Sequence, residues 1–275
     1  MITSNANSQV KDLVRLMRKS RARNEARVFL VEGPRMAGEL ARDPDWRGRI
    51  SKIYLSESYA DRNKKEQEEL RRCAQAEILA DPVFAHVSDT KTPQGILAVV
   101  RQREYTMNDI LGTDAAHAHV AVLEDLQDPG NLGTIFRTAE AAGATGIILS
   151  RDCVDVYNPK VVRSTMGAVL RMPFLYVEDL IGTIDELKQT GLRVFAADLS
   201  GDRTYDEEDY TSGCAFLIGN EGNGLRKEVA ECADHRVVIP MHGEAESLNA
   251  GVAAAVLMFE VSRQRRHQAD ISAEM

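Results

Sequence analysis

From residue 120 onward the chain repeats one pattern: a short unbroken apolar run, a stretch with helical spacing, then another apolar run. The runs fall at residues 120–123, 146–150, 193–197, 215–218 and 236–239. Strands without polar alternation are buried on both faces, and parallel neighbours need helical crossovers. This half of the chain therefore reads as a parallel sheet covered on both sides. Helices are expected at 130–142, 161–170, 179–189 and 247–265. In the last, Leu248, Val252, Ala255, Val256 and Phe259 share one face, and Arg263, Arg265 and Arg266 suit its C-terminal end. Residues 1–107 alternate on a smaller scale, with strands at 28–31, 53–55, 77–80 and 95–100 and helices from Pro34 and near 61–76. That spacing predicts a small α/β domain, joined to a larger one at 116–275 by the polar stretch 101–116.

Charge divides the chain in the same place. The net charge is −8, yet residues 1–115 carry 20 basic and 17 acidic side chains, against 14 and 25 in residues 116–275. Lys11, Arg18, Lys19, Arg21 and Arg23 are the core of the densest basic stretch. Local positive potential governs polyanion binding more than the total does, so this cluster is a candidate RNA contact. The same residues also read as a solvated helix face. No apolar run reaches 18 residues, and the N-terminus is polar, so neither a membrane span nor a signal peptide is expected. Cys73, Cys153, Cys214 and Cys232 are widely spaced with no Cys-x-x-Cys pair. They read as reduced thiols of a cytoplasmic protein, with no metal site.

Three loops each leave the C-terminal end of an expected strand. They are residues 124–133, 219–224 (Gly-Asn-Glu-Gly-Asn-Gly) and 240–249. In open parallel sheets ligands bind beyond those strand ends, so the loops should meet at one edge. Their glycines and small polar side chains suit a nucleoside-type ligand. Each loop alone also reads as plain turn chemistry. No Gly-Lys-Ser/Thr follows the glycines, so this is not a triphosphate-binding loop, and no Gly-x-Gly-x-x-Gly supports a Rossmann-type nucleotide enzyme. Arg137 interrupts an otherwise apolar helix. Ser247 also reads as the N-cap of the last helix, Asn249 as a surface residue and Glu221 as a solvent-facing turn residue.

Together the loops resemble the three motifs of the SpoU (TrmH) family of RNA ribose methyltransferases, in the SPOUT superfamily. The first motif is matched by Asn131-Leu132-Gly133-Thr134-Ile135-Phe136-Arg137, the second by Ile218-Gly219-Asn220-Glu221-Gly222-Asn223-Gly224-Leu225, the third by Ile239-Pro240-Met241 with Ser247-Leu248-Asn249. Arg163-Ser164-Thr165-Met166-Gly167-Ala168 resembles the family's intervening helix. Residues 2–4, Lys11 and 29–33 more weakly resemble a ribosomal-protein-like substrate-binding domain. The resemblance implies an α/β fold whose C-terminal parallel-sheet SPOUT domain holds a deep trefoil knot, beside the small N-terminal α/β domain. Pattern reasoning alone would not give a knot, which is nearly absent from proteins.

The resemblance further implies a homodimer that uses S-adenosyl-L-methionine (AdoMet) to methylate a ribose 2′-hydroxyl, in ribosomal RNA given the N-terminal domain. It assigns Arg137 to activating the hydroxyl, with Asn131, Glu221, Ser247 and Asn249 around it. Leu199, Gly219, Ile239, Met241 and Leu248 would hold AdoMet. No metal or covalent enzyme intermediate is required. A non-catalytic RNA-binding protein on the same fold is the alternative, and intact Arg137 and Asn131 count against it.

Overall fold

The structure, a computed structural model, describes residues 1–274. They divide into two units, one formed by Met1–Arg103 with Asp155–Leu170, the other by Glu104–Val154 with the chain from Arg171 onward.

The first unit holds a four-stranded sheet of β1 (Val28–Glu32), β2 (Ile50–Ser56), β3 (Ala76–Leu79) and β4 (Ile96–Arg101). Its order is β1-β4-β2-β3, with β4 antiparallel to both neighbours and β2 parallel to β3. The helix Ser8–Arg18 buries Val10, Leu13, Leu16 and Met17 against Leu30, Tyr54 and Leu97 of the sheet. Arg23 pins this arrangement. Its guanidinium donates to the carbonyls of Leu16 (2.7 Å) and Met17 (3.3 Å), which the helix end leaves without intrahelical donors, and it pairs with Asp155 at 2.5 Å. Segment 155–170 is held here as well: Tyr157 stacks on Phe29 (centroids 4.5 Å apart), and the Trp46 indole N–H donates to the Leu170 carbonyl at 2.7 Å. The residues resembling the family's intervening helix therefore pack with the N-terminal sheet.

The second unit is built on seven strands, all parallel: β5 (His119–Leu123), β6 (Gly146–Ser150), β7 (Phe174–Val177), β8 (Arg193–Ala197), β9 (Arg203–Thr204), β10 (Cys214–Ile218) and β11 (His235–Val238). Their order is β7-β6-β5-β10-β8-β11-β9. Central β5, β6 and β10 are buried at every position, as their unbroken apolar runs require. Each fully buried Val, Leu or Ile side chain contributes about 1.5–3 kcal/mol. The edge strands β7 and β9 are not among the expected runs.

Residues 101–116 are not a bare linker. Thr106 and Asp109 form a capping box for the helix Met107–Leu111, whose Ile110 and Leu111 enter the core of the second unit. Gly146 permits this: a Cβ there would lie 2.8 Å from the Ile110 Cα. The expected helix at 161–170 is instead Pro159–Ser164 plus one 3-10 turn, Ala168–Leu170. The last helix, Ala250–Glu274, starts three residues later than expected.

At the opposite, N-terminal end of β5, His119 is 1% exposed, and neither ring nitrogen has a hydrogen-bond partner among the described residues. Burial, reinforced by the charge of Arg265, pushes its pKa down to about 3. A neutral histidine is thus enforced in the fold. The unfolded chain, with a histidine pKa of about 6.5, binds one more proton between the two values, so stability is full above about 6.5 and falls with pH below it. Urea denaturation between pH 6.5 and 4 should show this slope, up to about 1.4 kcal/mol per pH unit. His119→Phe should flatten it by up to that amount. An unchanged slope would assign the acid sensitivity to carboxylates instead.

Candidate active site

At the C-terminal ends of β8, β10 and β11 a cavity of about 340 Å³ opens. All three loops border or brace it. Leu199, Gly219, Ile239, Met241 and Leu248, the expected cofactor set, line it, as do Glu221 and Ser247. Sequence reasoning missed Asp198 and Asn220, which also line it. Their positions, directly after β8 and β10, were the available signal.

Loop 219–224 closes on itself. Asn220 and Gly224 exchange backbone hydrogen bonds at 3.0 and 2.9 Å, and the Asn220 side chain accepts from the Gly222 and Asn223 amides. Gly219 is required by this closure: a Cβ there would lie 2.1 Å from the Gly224 carbonyl carbon. The Asn220 amide also donates to the Asp125 carbonyl at 2.8 Å, and this ties the second loop to the first.

Glu221 completes that tie. Its carboxylate accepts from the backbone amides of Gln127 (3.1 Å) and Asp128 (2.8 Å) and from the Asn131 side-chain amide (3.0 Å). Burial pushes its pKa up, but the bonds from Asn131, Gln127 and Asp128 outweigh that and hold it below the usual glutamate value. Asn131 then reaches the third loop, because its side-chain oxygen accepts from Asn249 at 2.7 Å. The Asn249 oxygen accepts in turn from the Gly251 and Val252 amides, 2.9 and 3.2 Å away. Asn249, and not Ser247, therefore provides the N-terminal cap of the last helix, while remaining exposed as its surface reading has it. Asp128 caps the helix Pro129–Ala142 through the Asn131 amide at 2.8 Å.

Arg137 is not drawn into this network. It is exposed on the helix Pro129–Ala142 and pairs with no described residue. Thr134, one turn earlier, abuts Gly251 at the start of the last helix, whose Val252 and Phe259 are each 47% exposed. In the first unit Lys11, Arg18, Lys19 and Arg21 are exposed, as the RNA-contact expectation needs. Arg23 must be removed from that set. It is 2% exposed, and its donors are spent on Asp155 and a helix end. Among the described residues no cluster of His, Cys, Asp or Glu is placed to hold a metal ion, and no helix is long and apolar enough to cross a membrane.

Asn131 carries two bonds between loops, so Asn131→Ala should lower stability by about 1–3 kcal/mol in urea denaturation at pH 7. The penalty should shrink as pH falls through the depressed Glu221 value, where the protonated carboxyl holds its donors less well in either protein. A loss below a few tenths of a kcal/mol would mean that the loops are held by other contacts.

Comparison with known proteins converges on one family. The sequence profile of the SpoU rRNA methylase family matches residues 118–259, and that of an MRM3-like substrate binding domain matches residues 7–98. The 23S rRNA (guanosine(2553)-2'-O)-methyltransferase RlmP of Bacillus subtilis is 32% identical over 260 residues, 94% of this chain and 98% of that protein. The AdoMet-bound rRNA methyltransferase structure from Sinorhizobium meliloti superposes with a TM-score of 0.83 at 30% identity, covering 97% of each chain. The SpoU methyltransferase AviRb of Streptomyces viridochromogenes, in complex with AdoMet, gives 0.84 at 28% identity, covering 94% of this chain and 98% of that one. With its three loops joined by hydrogen bonds beside one cavity, and with relatives matching along nearly its whole length, the chain belongs to the SpoU rRNA methylase family.

Proposed function

We propose that this protein transfers the methyl group of AdoMet to a ribose 2′-hydroxyl of ribosomal RNA, with residues 116–275 carrying the chemistry and residues 1–107 capturing the RNA. The observation that carries the reading is the hydrogen-bonded chain Glu221–Asn131–Asn249, which fixes three loops around a cavity of cofactor size. At about 340 Å³ the cavity lies in the lower part of the range for small-molecule sites. Leu199, Ile239, Met241 and Leu248 give it apolar walls, and Asp198 and Glu221 supply negative charge suited to a cationic ligand. These residues fit AdoMet.

The bound cofactor supplies an electrophilic methyl group on a sulfonium. The protein must orient the ribose and ease loss of the hydroxyl proton as the O–CH₃ bond forms. A guanidinium with a pKa above about 12 is a poor free base. Arg137 instead stabilises the alkoxide developing on the 2′-oxygen as its proton passes to solvent water. Asn131, Glu221 and Asn249 position the loops, and the Ser247 hydroxyl, at the cavity, is free to meet ribose or cofactor.

The deep trefoil knot is part of this proposal, as is a homodimer, because Val252 and Phe259 leave apolar side chains exposed on the last helix, which packs against the helix carrying Arg137. Cytoplasmic residence follows from an RNA substrate in assembling ribosomes.

Arg137→Ala should fold and bind AdoMet normally yet lose at least about 100-fold in single-turnover methyl transfer to ribosomal RNA. Arg137→Lys, which keeps the charge but not the planar fork, should remain strongly impaired. Wild-type single-turnover rates with weakened RNA binding would make Arg137 a phosphate anchor. Nucleoside analysis of the product should show a 2′-O-methylribose, and a methylated base would overturn the reaction assigned here.

Phe259→Glu should shift the sedimentation mass from two chains to one. A wild type already sedimenting as a monomer would refute the dimer.

A further inference from the structure

The first unit contains a second cavity, of about 480 Å³, between the helices Pro34–Arg42 and Lys64–Arg71. Arg42, Arg47 and Arg72 all line it. Arg42 ends one helix, Arg47 ends the short helix Pro44–Arg47, and Arg72 is the C-terminal cap of the Lys64–Arg71 helix. Each guanidinium complements the partial negative charge of its own helix end. That accounts for each arginine alone. It does not account for three lining one concavity in which Glu69 is the single lining carboxylate.

None of the three forms an ion pair or side-chain hydrogen bond with a described residue. Glu69, the only carboxylate among the lining residues, pairs with none of them either. Other arginines of the chain do find carboxylates: Arg163 with Asp89, Arg171 with Glu140, Arg193 and Arg203 with Glu208, Arg226 with Glu124. In a chain of net charge −8, three guanidinia unpaired among the described residues around one cavity make a local positive patch. An anionic occupant is attracted to that patch. The remaining walls, Pro34, Tyr59, Leu70 and Ile96, are apolar or aromatic. Anion-binding forks beside an apolar floor suit a phosphate attached to a sugar or base, and the volume exceeds what a bare phosphate fills.

We propose that Arg42, Arg47 and Arg72 form a seat for one phosphodiester-linked nucleotide of the RNA substrate, separate from the exposed Lys11, Arg18, Lys19 and Arg21 cluster. Guanidinium forks pair bidentately with phosphate oxygens, which favours arginine over lysine at such a seat. The inference rests on the RNA-methyltransferase reading. It commits to RNA backbone over a free nucleotide because the unit that holds the cavity matches a substrate binding domain.

The test uses the full-length protein and a fluorescein-labelled transcript of a 23S rRNA domain, followed by anisotropy over a salt series. Replacing all three arginines by glutamine should weaken binding at least about 10-fold at fixed salt. It should also lower the slope of log affinity against log salt by about 0.7–0.9, the counterion release of one phosphate contact. AdoMet affinity should be unchanged, and the thermal melt should fall only slightly, by the loss of three exposed helix-end charges. The triple lysine variant should keep the slope while losing part of the affinity. An unchanged slope and affinity in the glutamine variant would overturn the seat while leaving the RNA reading intact, as would calorimetric binding of AMP or inorganic phosphate that the variant loses without any change in RNA affinity. A wild type with no RNA affinity at all would overturn both.

Discussion

One carboxylate holds the site together. Glu221 takes two backbone amides from the first loop and the side chain of Asn131, and through Asn131 the third loop and the last helix follow. The arrangement depends on the charge of Glu221. An ionised carboxylate has about four acceptor positions and makes shorter, stronger bonds than a neutral carbonyl. The first loop needs such an anchor. Asp125 has a positive φ of 50°, an uncommon conformation for a residue with a side chain, and is held there by bonds to Ser150 and Asn220. The polar groups freed as the chain leaves β5 are thereby satisfied, and the cavity wall is rigid before any ligand arrives.

The uneven charge has a physical division behind it. Acidic groups concentrate in the half that carries the cavity, where Asp198 and Glu221 suit a cationic cofactor. Basic groups without partners gather in the first unit. A net charge of −8 is therefore compatible with an RNA-directed protein, since potential near a polyanion is set by groups within about 10 Å of it at ordinary salt.

Most of the second sheet was legible because β5, β6 and β10 are apolar runs buried throughout, while β8 and β11 carry shorter apolar runs behind leading polar residues. The edge strands were not. β7 has Tyr176 exposed and β9 spans only Arg203–Thr204, so neither carries a periodic signal of burial. The meeting of the three loops followed from strand polarity and the family resemblance, and the cofactor candidates fell around the cavity. What failed depended on partners distant in sequence. Arg23 looks like its basic neighbours until Asp155, 132 residues away, buries it. Asn249 outcompetes Ser247 as cap because its amide also finds Asn131, 118 positions earlier. The helix Met107–Leu111 was hidden inside a polar stretch, since only Ile110 and Leu111 of its residues are buried.

The hydrogen-bond inventory separates residues that hold the site from residues free to act in it. Glu221 already accepts from Gln127, Asp128 and Asn131, with Asn220 at the edge of reach, so its acceptor capacity is nearly spent. Both lone pairs of the Asn249 oxygen serve the last helix, and one of its amide protons serves Asn131. Asn131 keeps one amide proton. None of these can become a main partner of a ribose hydroxyl without releasing a loop, so their loss would damage structure and chemistry together. Arg137 is different: its five donors are bound to no described residue, and its removal opens no gap in the network. Arg137 thus keeps its donors available on an exposed helix face, which the role proposed for it requires. A substrate oxygen gaining negative charge is the partner such a group stabilises most, because its donors pay no reorganisation cost when the charge develops.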